Sequence, residues 1–182
     1  MNGKSQEKPA IPHSPSDPLV ETFKKFHSIY ADQEDEQLVR LAAGVTKNLV
    51  KQILMKYLIG GSSKSDELFD DDRPLRHFSA MVHLAYRLGL ISKGLAKELH
   101  VIRKMRKEFV DSIDCQSLDY KDAQALCERL NAPAQIRVKS LYIKEKFPDT
   151  PRGNFELTVT ILSCLLEDIL KNLSKTSKNP YH

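Results

Sequence analysis

Apolar residues along this chain return every three or four positions, from Leu19 to Leu173, and nowhere settle into alternation. A period near 3.6 puts them on one face of a helix, whereas a half-buried strand needs a period of two. The longest such stretch holds Leu38, Leu41, Ala42, Val45, Leu49 and Ile53 on one stripe, widened by Val50, Leu54, Tyr57 and Leu58. So wide an apolar face predicts a central helix covered on several sides. The chain is therefore expected to be all-α, a single-domain bundle of about six helices.

Local signals set the expected helix ends. Asp17 and Pro18 suit the first turn of a helix carrying Leu19, Phe23, Phe26 and Tyr30. The central helix is expected to run to about Ile59, where Gly60 and Gly61 stop it. Pro74 is expected to open a third helix, with Phe78, Met81, Val82 and Ala85 inward and Gly89 closing it. Ser92 caps a fourth, with Leu95, Leu99, Ile102 and Phe109 inward. A fifth is expected over about Leu118 to Leu130, with Ala123, Leu126, Cys127 and Leu130 inward. Ala132 to Thr150 reads as either a short helix or an extended arm. Thr150-Pro151 then starts a last helix whose Phe155, Val159, Leu162, Leu166, Ile169 and Leu173 form an a/d-like seam. That seam either completes the monomer's core, the favoured reading, or makes a homodimer.

Residues 1–16, with Pro9, Pro12 and Pro15, read as a flexible tail, 17–175 as the helical domain and 176–182 as a C-terminal tail. With 182 residues, 41% hydrophobic and 29% charged, the composition is that of a folded domain rather than a disordered one. No apolar run reaches membrane-spanning length, and the polar N-terminus is no signal peptide. Three cysteines, Cys115, Cys127 and Cys164, without ligand spacing point to a reducing compartment. The expected location is cytoplasmic.

No motif demands a cofactor or a metal. Gly60 to Ser65 fails as a P-loop because Leu58 and Ser63 stand where glycines are needed. Asp70, Asp71 and Asp72, with Asp66 and Glu67, lack the spacing of a calcium loop and read as an acidic loop that complements a helix start. The histidines are scattered. No nucleophile is paired with a base, and the chain is not expected to be an enzyme.

The fourth helix carries the sharpest pattern. Opposite its apolar face lie Lys93, Lys97, His100, Lys104 and Lys107, a basic stripe. It is either a solvated face or a contact for phosphates or a partner. The net charge of +4 permits nucleic-acid contact without demanding it. Arg103 falls at the edge of the apolar face and Arg106 near its centre, between Ile102 and Phe109. A buried guanidinium must keep partners. Arg106 is thus expected either to join a structural ion pair or to line a polar cleft that receives an anion or a partner's carboxylate. Residues 79–100 could also form a helix-turn-helix, with Ala85, Gly89 and Leu95 at the small, turn and apolar positions. Glu98 weakens this, because it stands where that motif buries an aliphatic residue.

Several of these residues together resemble a known family. The acidic run before Pro74-Leu75, the Phe78-Ser79 pair, the run Leu84-Ala85-Tyr86-Arg87-Leu88-Gly89-Leu90-Ile91 and the helix bearing Ile102-Arg103-Lys104-Met105-Arg106 resemble the mannitol operon repressor-like (MltR) family in order and spacing. Leu38 to Leu58 looks like that family's first long helix, and Pro151-Arg152 with Phe155 like the start of its last. The resemblance implies an all-helical bundle and a role in transcriptional repression, most simply as an adaptor that binds a regulatory protein partner. Direct DNA binding is the alternative. Many relatives end the segment with a pattern similar to the Arg-x4-His motif of HEPN-type ribonucleases. Here Arg106 is followed by Asp111 at the histidine position. Histidine shuttles protons near neutral pH and an ordinary Asp does not. A degenerate nuclease or nucleotide-binding module at Arg103, Arg106 and Asp111 is the third reading.

Overall fold

The computed structural model describes residues 18–58, 68–69, 73–112, 115–130 and 147–174. They form an all-α bundle: α1 (Pro18–Tyr30), α2 (Asp35–Tyr57), α3 (Phe78–Arg87), α4 (Lys93–Asp111), α5 (Lys121–Cys127) and α6 (Pro151–Asn172). No strand occurs among the described residues. Both tails, the acidic loop Asp70, Asp71 and Asp72, the glycine pair Gly60 and Gly61, and the side chain of Leu19 lie outside them.

α2 is the central helix, touching α1, α3, α4 and α6. Its Leu38, Ala42, Val50, Ile53 and Leu54 are fully buried. Removing such a side chain from water is worth roughly 1.5–3 kcal/mol, so this one face supplies much of the drive to fold. Leu41 departs from the expected stripe: it is 37% exposed and lines an open hollow with Arg40, Gly44, Val45 and Asn48. No other helix covers that side of α2 among the described residues.

α6 packs along α2 and α1 and reaches α5. Phe155, Val159, Leu162 and Leu166 of its seam are buried inside this chain, while Ile169 and Leu173 are half-buried against the same core. The seam completes the monomer's own core. Polar groups on α6 are satisfied locally. Thr158 and Thr160 donate to the carbonyls of Asn154 and Glu156, at 2.7 and 2.8 Å, and the Tyr30 hydroxyl lies 2.9 Å from Ser163 Oγ. Burial pushes Tyr30 up to about 12.

Helix ends follow local chemistry. Thr150 Oγ1 accepts from Gly153 N at 3.1 Å, and Pro151 sits in the first turn, where its missing N–H costs nothing. Between α3 and α4, Gly89 adopts φ 71°, Leu90 N donates to Ala85 O and Gly89 N to Tyr86 O. These two bonds make a Schellman cap, which needs the left-handed conformation that glycine adopts without strain. Two expected ends shift. α3 begins at Phe78 rather than Pro74, because residues 73–76 form a turn closed by Arg76 N on Arg73 O. α5 spans Lys121–Cys127 rather than Leu118–Leu130, because a turn closed by Tyr120 N on Ser117 O precedes it and Arg129 N and Leu130 N turn back onto Leu126 O and Cys127 O after it. Leu118 and Leu130 are buried all the same.

Candidate functional site

α4 is aligned by Ser92, whose Oγ accepts from Leu95 N at 3.2 Å. Its inner face buries Leu95, Leu99, Ile102 and Phe109 as expected, together with Val101 and Met105. Lys93, Lys97, Lys104 and Lys107 point to solvent. The basic stripe is therefore a real surface. His100 is only half-exposed and lies against His83 of α3, ring centroids 4.8 Å apart. Burial lowers its pKa below 6.5, helped by repulsion from His83, Arg103 and Lys104, so it contributes less charge to the stripe than a free histidine would.

Arg106 is not buried. It is exposed on the wall of a cleft, and Met105 takes the fully buried position beside it. A place near the centre of the apolar face, as read from spacing, averages over the whole helix. The core, however, lies to one side of the C-terminal half of α4, because α3 starts late, at Phe78, and leaves a gap beyond it. That gap is a cleft of about 530 Å³ lined by α2 (Ala43, Lys47), the entry to α3 (Arg76, His77, Phe78, Ser79) and α4 (Arg103, Arg106, Lys107, Val110, Asp111). Arg106 is one of the residues that line this cleft. Neither it nor Arg103 meets a carboxylate among the described residues. Arg103 is half-buried, and its Nε is enclosed without a hydrogen-bond partner.

The structure brings Arg103, Arg106 and Asp111 to one place. Asp111 pairs with Lys107, one turn back, at 3.7 Å, rather than with either arginine. It is exposed on the rim. The sequence reading missed Lys47, Arg76, His77 and Ser79, which stand 24–59 positions from α4's arginines. The only sequence signal for them was the block around Phe78-Ser79.

The structural ion pair sought for Arg106 exists elsewhere. Arg152, in the first turn of α6, donates to Asp35 Oδ1 at the start of α2 and to Gln33 O, while Asp35 Oδ2 accepts from Leu118 N at 2.8 Å and from Ser117 Oγ at 3.1 Å. The α3–α4 corner has the turn glycine of a helix-turn-helix and exposes Lys93 and Lys97 on the second helix. Glu98, at the position that motif makes aliphatic, is buried. Among the described residues no group of His, Cys, Asp and Glu could hold a metal, and no helix is long and apolar enough to cross a membrane.

No protein-family model matches the chain, and no curated protein matches its sequence. Among solved structures, the chain is similar to one in the X-ray structure of the MtlR–HPr complex from Escherichia coli. The TM-score is 0.59 at 16% identity, over 80% of this chain and 98% of that one. The fold is MtlR-like. At that identity the likeness speaks for the arrangement of helices and not for the residues placed on them. The MtlR-like bundle here presents two basic features side by side: the outer stripe of α4 and the cleft.

Proposed function

We propose that this protein is a regulatory adaptor of the MltR type, one that takes part in transcriptional repression by binding a protein partner and catalyses no reaction. The observation that carries this reading is the outer face of α4. Lys93, Lys97 and Lys104 are exposed there and meet no carboxylate among the described residues. A rigid helix with unneutralised cations on one side is suited to meet an acidic surface, where complementary charge sets register and speeds encounter. The MtlR-like fold supports the reading, since the similar structure was solved as a complex with HPr. HPr from the same cell is accordingly the first partner to test.

The test is a native pull-down, followed by titration of the purified partner. The expected result is a stoichiometric complex that Lys97→Glu with Lys104→Glu weakens at least tenfold. Recovery of no stoichiometric partner would overturn the reading.

Direct DNA binding through residues 79–100 is the second reading, favoured by the Gly89 corner and the exposure of Lys93 and Lys97. Its mark would be selective binding to the protein's own upstream DNA that survives physiological salt and weakens in the same double variant. Binding that is weak and lost with salt returns the choice to the adaptor.

A further inference from the structure

Several cations in this molecule have partners. Arg152 has Asp35, Lys25 and Lys171 share Glu167, Arg40 has Glu36, and Lys56 donates to the Leu170 carbonyl at 2.6 Å. In the cleft between α2, α3 and α4 cations outnumber carboxylates. Five cationic side chains, Lys47, Arg76, Arg103, Arg106 and Lys107, line it against one carboxylate, Asp111, already engaged with Lys107. Lys47, Arg103 and Arg106 meet no carboxylate among the described residues. They come from two helices, so the convergence is built by the tertiary fold and not by one basic stretch of sequence.

Three further observations give the cleft a direction. The enclosed Arg103 Nε has no acceptor, although a desolvated donor of a charged group costs free energy until it finds one. α3 opens onto the cleft with no side-chain cap and no acidic residue in its first turn, so its partial positive charge adds to that of the side chains. Phe78, Ala43 and Val110 give the same cleft an apolar wall.

We propose that this cleft binds a phosphate monoester: a dianionic head held by Arg103, Arg106 and Lys47, on a small body that rests against Phe78 and Val110. A phosphate monoester carries about −1.5 to −2 charges at pH 7 and three acceptor oxygens, which suits two guanidinium forks and an ammonium. A phosphodiester brings one charge per phosphate, a poorer match than a dianion for cations contributed by α2, the entry to α3 and α4. The inference goes beyond the adaptor reading and does not depend on it, since the ligand is bound by the purified chain alone.

The test is calorimetric titration with inorganic phosphate and with phenyl phosphate, against sodium chloride at equal ionic strength. Single-stranded RNA serves as the competing probe. Saturable binding of phenyl phosphate, tighter than that of inorganic phosphate, is expected. Arg106→Gln and Lys47→Gln should each weaken it about tenfold, the loss of one charge-assisted hydrogen bond. Lys97→Gln, around the helix on the outer stripe, should leave it unchanged. In the unsubstituted protein the ligand should shift the amide signals of Phe78, Ser79 and Val110, which keeps the test open should a variant fold poorly. The proposal is overturned by no saturable binding, by equal losses in Lys97→Gln, by amide shifts confined to other helices, or by RNA that binds and is not displaced by phenyl phosphate.

Discussion

Arg152 of α6 and Asp35 of α2, 117 positions apart in sequence, join at 2.5 Å where four segments of the chain meet. The guanidinium also takes the Gln33 carbonyl of the α1–α2 turn, and the carboxylate holds the backbone of Leu118 ahead of α5. Each group satisfies a neighbour that would otherwise be left partly buried and unpaired, which is where the cost of breaking the pair arises. Arg152→Ala should destabilise the fold by about 2–3 kcal/mol, less than for a wholly buried pair because 33% of the arginine side chain still reaches water. Arg152→Lys should recover less than half of this, since an ammonium cannot span the carboxylate and the carbonyl with a planar fork. Urea unfolding of the three proteins measures both.

Gly153 lies in the first turn of α6, where a Cβ would run into the Pro148 carbonyl oxygen. The obstacle is backbone and cannot swing aside. Gly153→Ala should cost about 1–3 kcal/mol, the usual range for overpacking. Gly89→Ala meets no steric neighbour and suffers only its φ of 71°, an expected loss of about 1 kcal/mol. Thermal melts should therefore rank Gly153→Ala below Gly89→Ala. The reverse order would contradict the packing of the 147–150 segment onto α6.

Two glutamates of α6 pull in opposite directions with pH. Burial pushes Glu167 up, but hydrogen bonds from Lys171 and Lys25 outweigh it and hold its pKa below 4.5. Its stabilisation is present above pH 4.5 and is lost as pH falls through the lower, folded value. Both lysines are largely exposed, so Glu167→Gln should cost at most about 1 kcal/mol at pH 7 and nothing in strong acid. Glu156 is raised above 4.5, chiefly by burial and against the pull of His27 and Arg152. Its contribution is full below pH 4.5 and is lost as pH rises through the folded value, so Glu156→Gln should remove a fall in stability as pH rises above 4.5. Denaturant titrations at three pH values separate the two effects.

All three cysteines are free and buried. Burial pushes the Cys127 thiol up to about 12 and Cys164 to about 11, and it raises Cys115 as well. The thiolate is the reactive form. The native protein should therefore react with a disulfide reagent at least about a hundredfold more slowly than the protein in denaturant, where the thiols return to ordinary values. Rapid labelling of the native protein would mean that one of these sites opens.

The sequence by itself determined the helices and most of their inward faces. Leu95, Leu99, Ile102 and Phe109 are buried because a 3.6-residue period lines them up wherever the helix sits. Ser92, Gly89 and Pro151 set ends because capping is local chemistry among residues a few positions apart. The resemblance in the block from Pro74 to Arg106 pointed to an MtlR-like bundle for the same reason: it reads residues in order. Tertiary structure decided everything that depends on where one helix stops beside another. The apolar face of α4 carried Arg106 near its centre, yet α3 begins at Phe78 and leaves that turn of α4 open, so Arg106 lines a cleft. Charge pairing is likewise nonlocal. Nothing near Arg152 in sequence announces Asp35, and nothing near Arg103 announces Lys47. Coulomb interaction depends on distance in space, and only the packed bundle sets those distances.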